Sequence, residues 1–277
     1  MHTGGWYDIF LGGTIRNYLG MKESGANETA RSGQRLVIGP WAHGARGSTM
    51  VGRHYFGIMA DPAATDIDGM HLRWFDHWLN DGKNGITEEA PVRIFVMGDD
   101  VWREEQEWPL ARAQESKYYL HSGGKANSTN GDGSLGTDGP QAEPPDVFLY
   151  NPADPVPTTG GALCCNPYYA ANGAYDQNEV EERQDVLVYS TPPLERDVEV
   201  TGPVTVTLWA STSATDTDFT AKLVDVCENG CARNLTDGII RARYRDSMSN
   251  PTLLEPGRRS EERRVGKECR SRWSASH

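Results

Sequence analysis

Apolar and polar positions change rhythm partway along this chain. Leu36-Val37-Ile38 is a short continuous apolar run closed by Gly39-Pro40, the pattern of a buried parallel strand that ends in a loop. Ile67, Met70, Trp74, Phe75, Trp78 and Leu79 recur at helical spacing. Asp66 or Asp68 can cap that helix and Gly82 ends it; the stripe Trp74, Phe75 and Trp78 reads as core. A strand, a loop holding a histidine and an amphipathic helix together indicate α/β structure. After Glu88 the pattern turns to short strands, predicted over 92–96, 117–120, 147–150, 186–189, 198–200, 204–209, 219–226 and 239–244. Thr205-Val206-Thr207-Leu208 shows the alternation of a half-buried strand. Many short strands without intervening helices predict a sandwich or jelly roll. Ser122 to Pro145 is polar, Gly-rich and longer than an ordinary connection, so it is predicted to be a mobile loop.

Composition narrows the function classes. The 277 residues hold 27 Lys and Arg against 39 Asp and Glu, a formal charge of −12. Nucleic acid and anionic membrane demand clustered cations and are therefore disfavoured as partners. Mean hydropathy is −0.61, and no run approaches the ~18 apolar residues of a spanning helix. The 30 Gly and 16 Pro suit a turn-rich β protein. MHTGGWYDIF lacks a basic and then apolar leader, so no signal peptide is visible; the compartment stays open, with a lean to the cytoplasm.

Both ends read as cut. Residues 259–277, RSEERRVGKECRSRWSASH, carry six basic and three acidic residues without strand or helix logic. A solvated basic tail is one reading; the sharper one is in-frame translation of a sequencing adapter, a scar to be kept out of fold reasoning. Gly4-Gly5-Trp6-Tyr7-Asp8 arrives with nothing before it to complete a domain. An internal fragment of a longer gene is the expectation.

Asp8 follows a candidate strand end, and His43 follows the next strand by a few residues. An acid and then a histidine on successive strand-end loops match the tail of an α/β-hydrolase triad, whose chain order is Ser, acid, His. A serine hydroxyl needs a neutral imidazole to take its proton, and a carboxylate to fix the imidazole tautomer. An Asp in a loop also serves as a cap or turn residue, and a single His as a structural group, so spacing alone leaves both readings open. No G-x-S-x-G occurs anywhere in the chain.

Other patterns carry less. Gly131-Asp132-Gly133-Ser134-Leu135-Gly136 fits G-x-G-x-x-G without the strand and helix a dinucleotide site needs. Asn130-x-Asp132-Gly133 lacks the acid that closes a calcium loop. His71 and His77 are six apart and off a common face, so no metal pair is predicted. Cys227-x-x-x-Cys231 straddles a turn where a cross-strand disulfide can form; as zinc evidence it is weak. Cys164-Cys165 are undetermined. Asp216-Thr217-Asp218 suits a turn cap better than an ion site. Tyr168, Tyr169 and Tyr175 could stack on a carbohydrate, but packing at a domain interface is the preferred expectation.

Gly5-Trp6-Tyr7-Asp8 and Gly39-Pro40-Trp41-Ala42-His43 resemble the acid and histidine motifs of the cocaine esterase-like (CocE/NonD) hydrolases, relatives of X-Pro dipeptidyl-peptidases and α-amino-acid ester hydrolases. The likeness continues through Trp74-Phe75-Asp76-His77-Trp78-Leu79, residues 91–98, Asp154-Pro155-Val156-Pro157, Asp185-Val186-Leu187, residues 216–223 and Asp237-Gly238-Ile239-Ile240-Arg241. It implies the C-terminal part of an α/β-hydrolase domain over 1–110 and a truncated jelly-roll β-sandwich over 111–258; the adapter-like, non-native tail over 259–277 lies outside the likeness. It also implies serine acyl transfer, with Asp8 the triad acid, His43 the general base and no cofactor or metal. The nucleophile, cap and oxyanion tyrosine would lie outside this chain, so the fragment is expected to be inactive. Ile9 and Phe10 stand where α-amino-acid ester hydrolases carry a Glu-Asp pair for the substrate ammonium. An unpaired ammonium there would be costly, which favours a small-molecule ester with an uncharged, apolar acyl group. The alternatives are an X-Pro dipeptidyl-peptidase fragment and a non-catalytic β-sandwich binding module. Oligomeric state is not legible.

Overall fold

A computed structural model describes residues 1–44, 48–164, 166 and 168–273, with side chains through Ser260 apart from Pro62. In chain order the elements are β1 (His2–Tyr7), α1 (Leu11–Ser24), α2 (Glu28–Ser32), β2 (Leu36–Ala42), β3 (Met50–Val51), β4 (His54–Tyr55), α3 (Pro62–Thr65), α4 (Ile67–Asn80), β5 (Val92–Val96) and β6 (Val101–Glu105). Then come β7 (Tyr119–His121), β8 (Ser134–Gly136), α5 (Asn178–Glu181), β9 (Val198–Ala210), β10 (Asp218–Val226), β11 (Ala232–Arg241) and β12 (Ser260–Trp273).

One sheet of four strands runs β1-β2-β5-β6, parallel across β1, β2 and β5 and antiparallel at β6. Alternation along β2 explains its two covered faces. Leu36 and Ile38 pack with Leu11, Ile15 and Tyr18 of α1, which recur at one helical stripe. Val37 and Trp41 pack the other way, on Ile67 and Met70 of α4. The apolar run therefore does not stop at Gly39-Pro40; the strand continues to Ala42 and every residue of it is buried. Trp6, Phe95, Trp108 and Leu235 join the main core, so β11 is sewn to the four-stranded sheet.

The β-rich part forms smaller sheets than expected. The pairs are β7-β8, β10-β11 and β9-β12, all antiparallel. The segments 198–200 and 204–209 merge into β9, while 147–150 makes no strand and 186–189 contributes one isolated bridge at Leu187. Residues 260–273, read as lacking strand logic, lie along β9 as β12; pairing needs only backbone donors and acceptors, which a 13-residue neighbour supplies. The stretch 122–145, expected to be mobile, is tied down by side chains. Asp132 accepts from the Gly123 and Lys125 N–H groups, and Asp146 accepts from Ser122, Ala126 and Tyr189.

The stripe on α4 is a correction. Only Ile67 and Met70 of that helix are buried, and Phe75 and Leu79 are exposed. In the second half of α4, Trp74 and Trp78 are half-buried, with Trp78 against Gly33 at the end of α2 and its Nε1 covered, while Phe75 and Leu79 face outward.

Candidate active site

The site begins with two glycines and a shift of register. Gly5 pairs with Gly39 but Tyr7 pairs with Ala42, so two steps along β1 match three along β2. That irregularity advances β2 and sets the residue after Tyr7 beside the residue after Ala42. A side chain at Gly5 would forbid it, because its Cβ would lie 2.1 Å from the Trp41 carbonyl oxygen. Asp8 and His43 are the two residues thus brought level.

His43 Nδ1 lies 3.3 Å from Asp8 Oδ1 and 3.4 Å from Oδ2. The carboxylate is also held by the backbone, since Oδ1 accepts the Phe10 N–H at 2.8 Å. Turns on both flanks hold the loop: Asp8 N–H donates to Gly5 and Leu11 N–H donates to Asp8. The Phe10 ring meets the imidazole edge-on, with centroids 4.9 Å apart. Phe10 and Ile9 are otherwise exposed. Asp8 is mostly covered and His43 is about one-third exposed, at 19% and 37% of their side-chain surfaces. Among the described residues, Nε2 of His43 has no hydrogen-bond partner. A carboxylate on Nδ1 fixes the tautomer that leaves Nε2 as an acceptor, so the pair can take a proton from a group presented at Nε2.

The remaining candidates have structural partners or stand apart. His71 bonds the Ile67 carbonyl and lies 3.4 Å from Thr3 Oγ1; His77 bonds the Gly82 carbonyl. Cys227 and Cys231 form a disulfide across the β10–β11 turn. Asp216 pairs with Arg243, and Asp218 with Arg241. Among the described residues, no group of three His, Cys, Asp or Glu could hold a metal ion, and no helix is long and apolar enough to cross a membrane. Tyr168 and Tyr169, expected against a domain interface, are 96% and 89% exposed. Both lie between residues 161 and 173, whose backbones pair. Tyr175 alone packs, under the Arg53 guanidinium.

A cleft of about 540 Å³ lies away from the Asp8–His43 pair, lined by Arg53, His54, Tyr175, Asp176, the Cys227–Cys231 turn and Arg233. Arg233 touches the His54 ring and pairs with Asp225 at 2.6 Å. Burial first, and Arg233 second, push the His54 pKa down to about 4.

Two residues around the pair, Asn172 and Asn234, were not legible in the sequence. Tyr7 OH donates to the Asn234 carbonyl, and the fully buried Asn234 side chain bonds both Gly173 and Tyr175. Asn172 Nδ2 donates to the His43 carbonyl. Ala171-Asn172-Gly173 carries an ordinary turn signal, and nothing in a strand's alternation marks Asn234.

Known proteins share this arrangement of chain. A family model described as the X-Pro dipeptidyl-peptidase C-terminal non-catalytic domain matches residues 84–261. The cocaine esterase of Rhodococcus sp. (strain MB1 Bresler) is 43% identical over 258 residues, 92% of this chain and 43% of that protein. A solved α-amino acid ester hydrolase aligns with a TM-score of 0.79 at 26% identity, over 98% of this chain and 45% of the other. The aminopeptidase of a marine sediment archaeon, Thaumarchaeota archaeon, gives 0.73 at 26% identity, over 97% and 44%. This chain spans less than half the length of each of these three relatives.

Proposed function

The chain belongs to the cocaine esterase-like (CocE/NonD) hydrolases, and from that premise we propose that it is part of a longer serine hydrolase that cleaves carboxylic esters. The observation that carries this reading is the Asp8–His43 contact on adjacent strand-end loops, with Nε2 of His43 unpartnered among the described residues. In the proposal Asp8 is the triad acid and His43 the general base, and the serine lies outside these 277 residues. His43 takes the hydroxyl proton as the serine attacks the ester carbonyl, then returns it to the departing alcohol. Water repeats the sequence on the acyl-enzyme, releasing the acid.

Ile9 and Phe10 would face the acyl group. Their exposure, with the Phe10 ring against the imidazole, supports an apolar, uncharged acyl chain, because a buried ammonium without a carboxylate is strongly disfavoured. The parallel strands β1, β2 and β5 with helices on both faces support residues 1–110 as the last portion of an α/β-hydrolase domain. Residues 111–258 are proposed as an incomplete jelly roll and 259–277 as a non-native tail; the family match runs from 84 to 261, so it begins ahead of that jelly roll and ends three residues into the tail. Small-molecule esters, rather than nucleic acid or membrane, suit a chain of charge −12.

A second reading, a β-sandwich binding module, draws on the exposed Tyr168 and Tyr169. The two are separated by an assay of the longer protein against butyryl and benzoyl esters and Gly-Pro amides. Preferred hydrolysis of the esters is expected. Preference for the amides would make it a dipeptidyl-peptidase, and no hydrolysis at all would favour the binding module.

A further inference from the structure

The region that matches a non-catalytic domain reaches into the candidate site. Asn172 Nδ2 donates to two backbone carbonyls, those of His43 and Leu163, each at 3.3 Å. One side-chain amide with two hydrogens thus joins the His43 loop to the loop that bears Tyr168 and Tyr169. Asn172 itself stands on a rigid footing. The next residue, Gly173, exchanges two backbone hydrogen bonds with Gly161, at 2.8 and 2.9 Å. Its φ is +107°, and a Cβ there would meet the Gly52 nitrogen at 2.4 Å, so only glycine lets this strand lie so close to β3. Ala174 then exchanges hydrogen bonds with Val51 and Arg53.

The same footing reaches the acid. Asn234 Nδ2 donates to Gly173 and its Oδ1 accepts from the Tyr175 N–H at 2.7 Å, while its own carbonyl accepts the Tyr7 hydroxyl at 3.0 Å. Asn234 and Tyr7 are buried at 0% and 1% exposure, where a polar group left without its hydrogen bond is strongly disfavoured. Tyr7 immediately precedes Asp8. One brace therefore reaches both loops: Asn234 holds the side chain of Tyr7, the residue before Asp8, and Asn172 holds the His43 carbonyl.

We propose that Asn172, supported by Asn234, is a positioning residue that sets the orientation of the His43 imidazole toward Asp8. This rests on the reading of Asp8 and His43 as an acid–base pair. Asn172 touches no reacting atom; it acts through the His43 backbone, which follows a strand on one side only, so a second anchor decides where the ring points. The proposal gives the β-rich region a direct part in the site's geometry.

The test uses the 277-residue chain and nitrogen-15 NMR of its seven histidine rings, which reads each ring's tautomer. The His43 signals are assigned by their disappearance in His43→Asn. In the wild type, His43 should carry its proton on Nδ1. Asn172→Ala, and the isosteric Asn172→Asp that removes the donor but keeps the shape, should both shift His43 toward a mixture of tautomers and broaden it. The other six histidines should stay in place, including His54, beside Arg53 that pairs with Ala174. An unchanged His43 in both variants overturns the proposal and leaves the acid–base reading standing. A His43 that never favours the Nδ1–H form in the wild type overturns both. Shifts spread over all the histidines, or unfolding of both variants, also overturn it, since Asn172 would then be a fold determinant.

Discussion

Gly5→Ala and Gly13→Ala make the same chemical change in neighbouring elements and should have opposite effects. A methyl at Gly5 would sit 2.1 Å from the Trp41 oxygen and 2.7 Å from its carbonyl carbon. Both atoms are backbone, so no side-chain rotation relieves the clash. The two strands must part by about 1 Å at the register shift that brings Asp8 level with His43. Forcing a methyl into a packed region costs ~1–3 kcal/mol, and an immovable partner puts this case at the upper end. Gly13 lies inside α1 with nothing within 4 Å of its added Cβ. There alanine should gain up to ~1 kcal/mol, the helix-propensity difference. The two variants should therefore lie ~3–4 kcal/mol apart in urea unfolding. With a slope of ~1–3 kcal/mol per molar, the separation is of order 1 M or more. Gly5→Ala unfolding at or above the wild-type urea midpoint would refute the argument that close approach of β1 and β2 builds the site.

Three further outcomes are expected. His54 is held neutral in the fold with a pKa of about 4 by burial and Arg233, whereas the unfolded chain titrates near ~6.5. The unfolded state then binds more protons between those values, so stability should fall by ~1–2 kcal/mol as pH drops from ~6.5 to 4, after allowance for partial exposure. His54→Gln should flatten that slope in urea midpoints, and an equally steep slope would contradict it. Cys227→Ser with Cys231→Ser opens a loop of sequence separation 4. By chain entropy this costs about 2 kcal/mol, read as a lower melting temperature, and an unchanged one would place the disulfide outside the stabilising set. The 277-residue chain should not react with a fluorophosphonate probe, because no nucleophile elbow occurs in it. Clear labelling would mean that a serine within these residues does the chemistry.

The proposed acid–base pair drew on local signals, and the structure brings its two side chains into contact. An apolar run, then Gly39-Pro40-Trp41-Ala42-His43, marks a buried strand and its loop without any long-range information. The irregular register between β1 and β2 was not legible, because it depends on how two glycine-containing strands approach each other. The α4 stripe misled in part: helical spacing reports which residues share a face, not how far a layer covers it, and Phe75 lies outside the cover that Trp78 finds at Gly33. The strands at 198–200 and 204–209 looked separate because Gly202-Pro203 reads as a break; an edge position beside β12 tolerates both residues. Asn172 and Asn234 escaped notice because a buried amide is specified by its partners, 129 residues away for Asn172 and His43.

The account turns on His43 serving as a general base oriented by Asp8. Its most direct test is the hydrolysis of a benzoyl ester by the longer protein, comparing wild type with His43→Ala and Asp8→Asn. Members of a triad act as a unit, and single losses lower kcat by about 10⁴-fold or more. The account predicts a loss of that order in both variants, with KM little changed. Near wild-type kcat in either variant would contradict it, and the contact between these two side chains would then be a structural one.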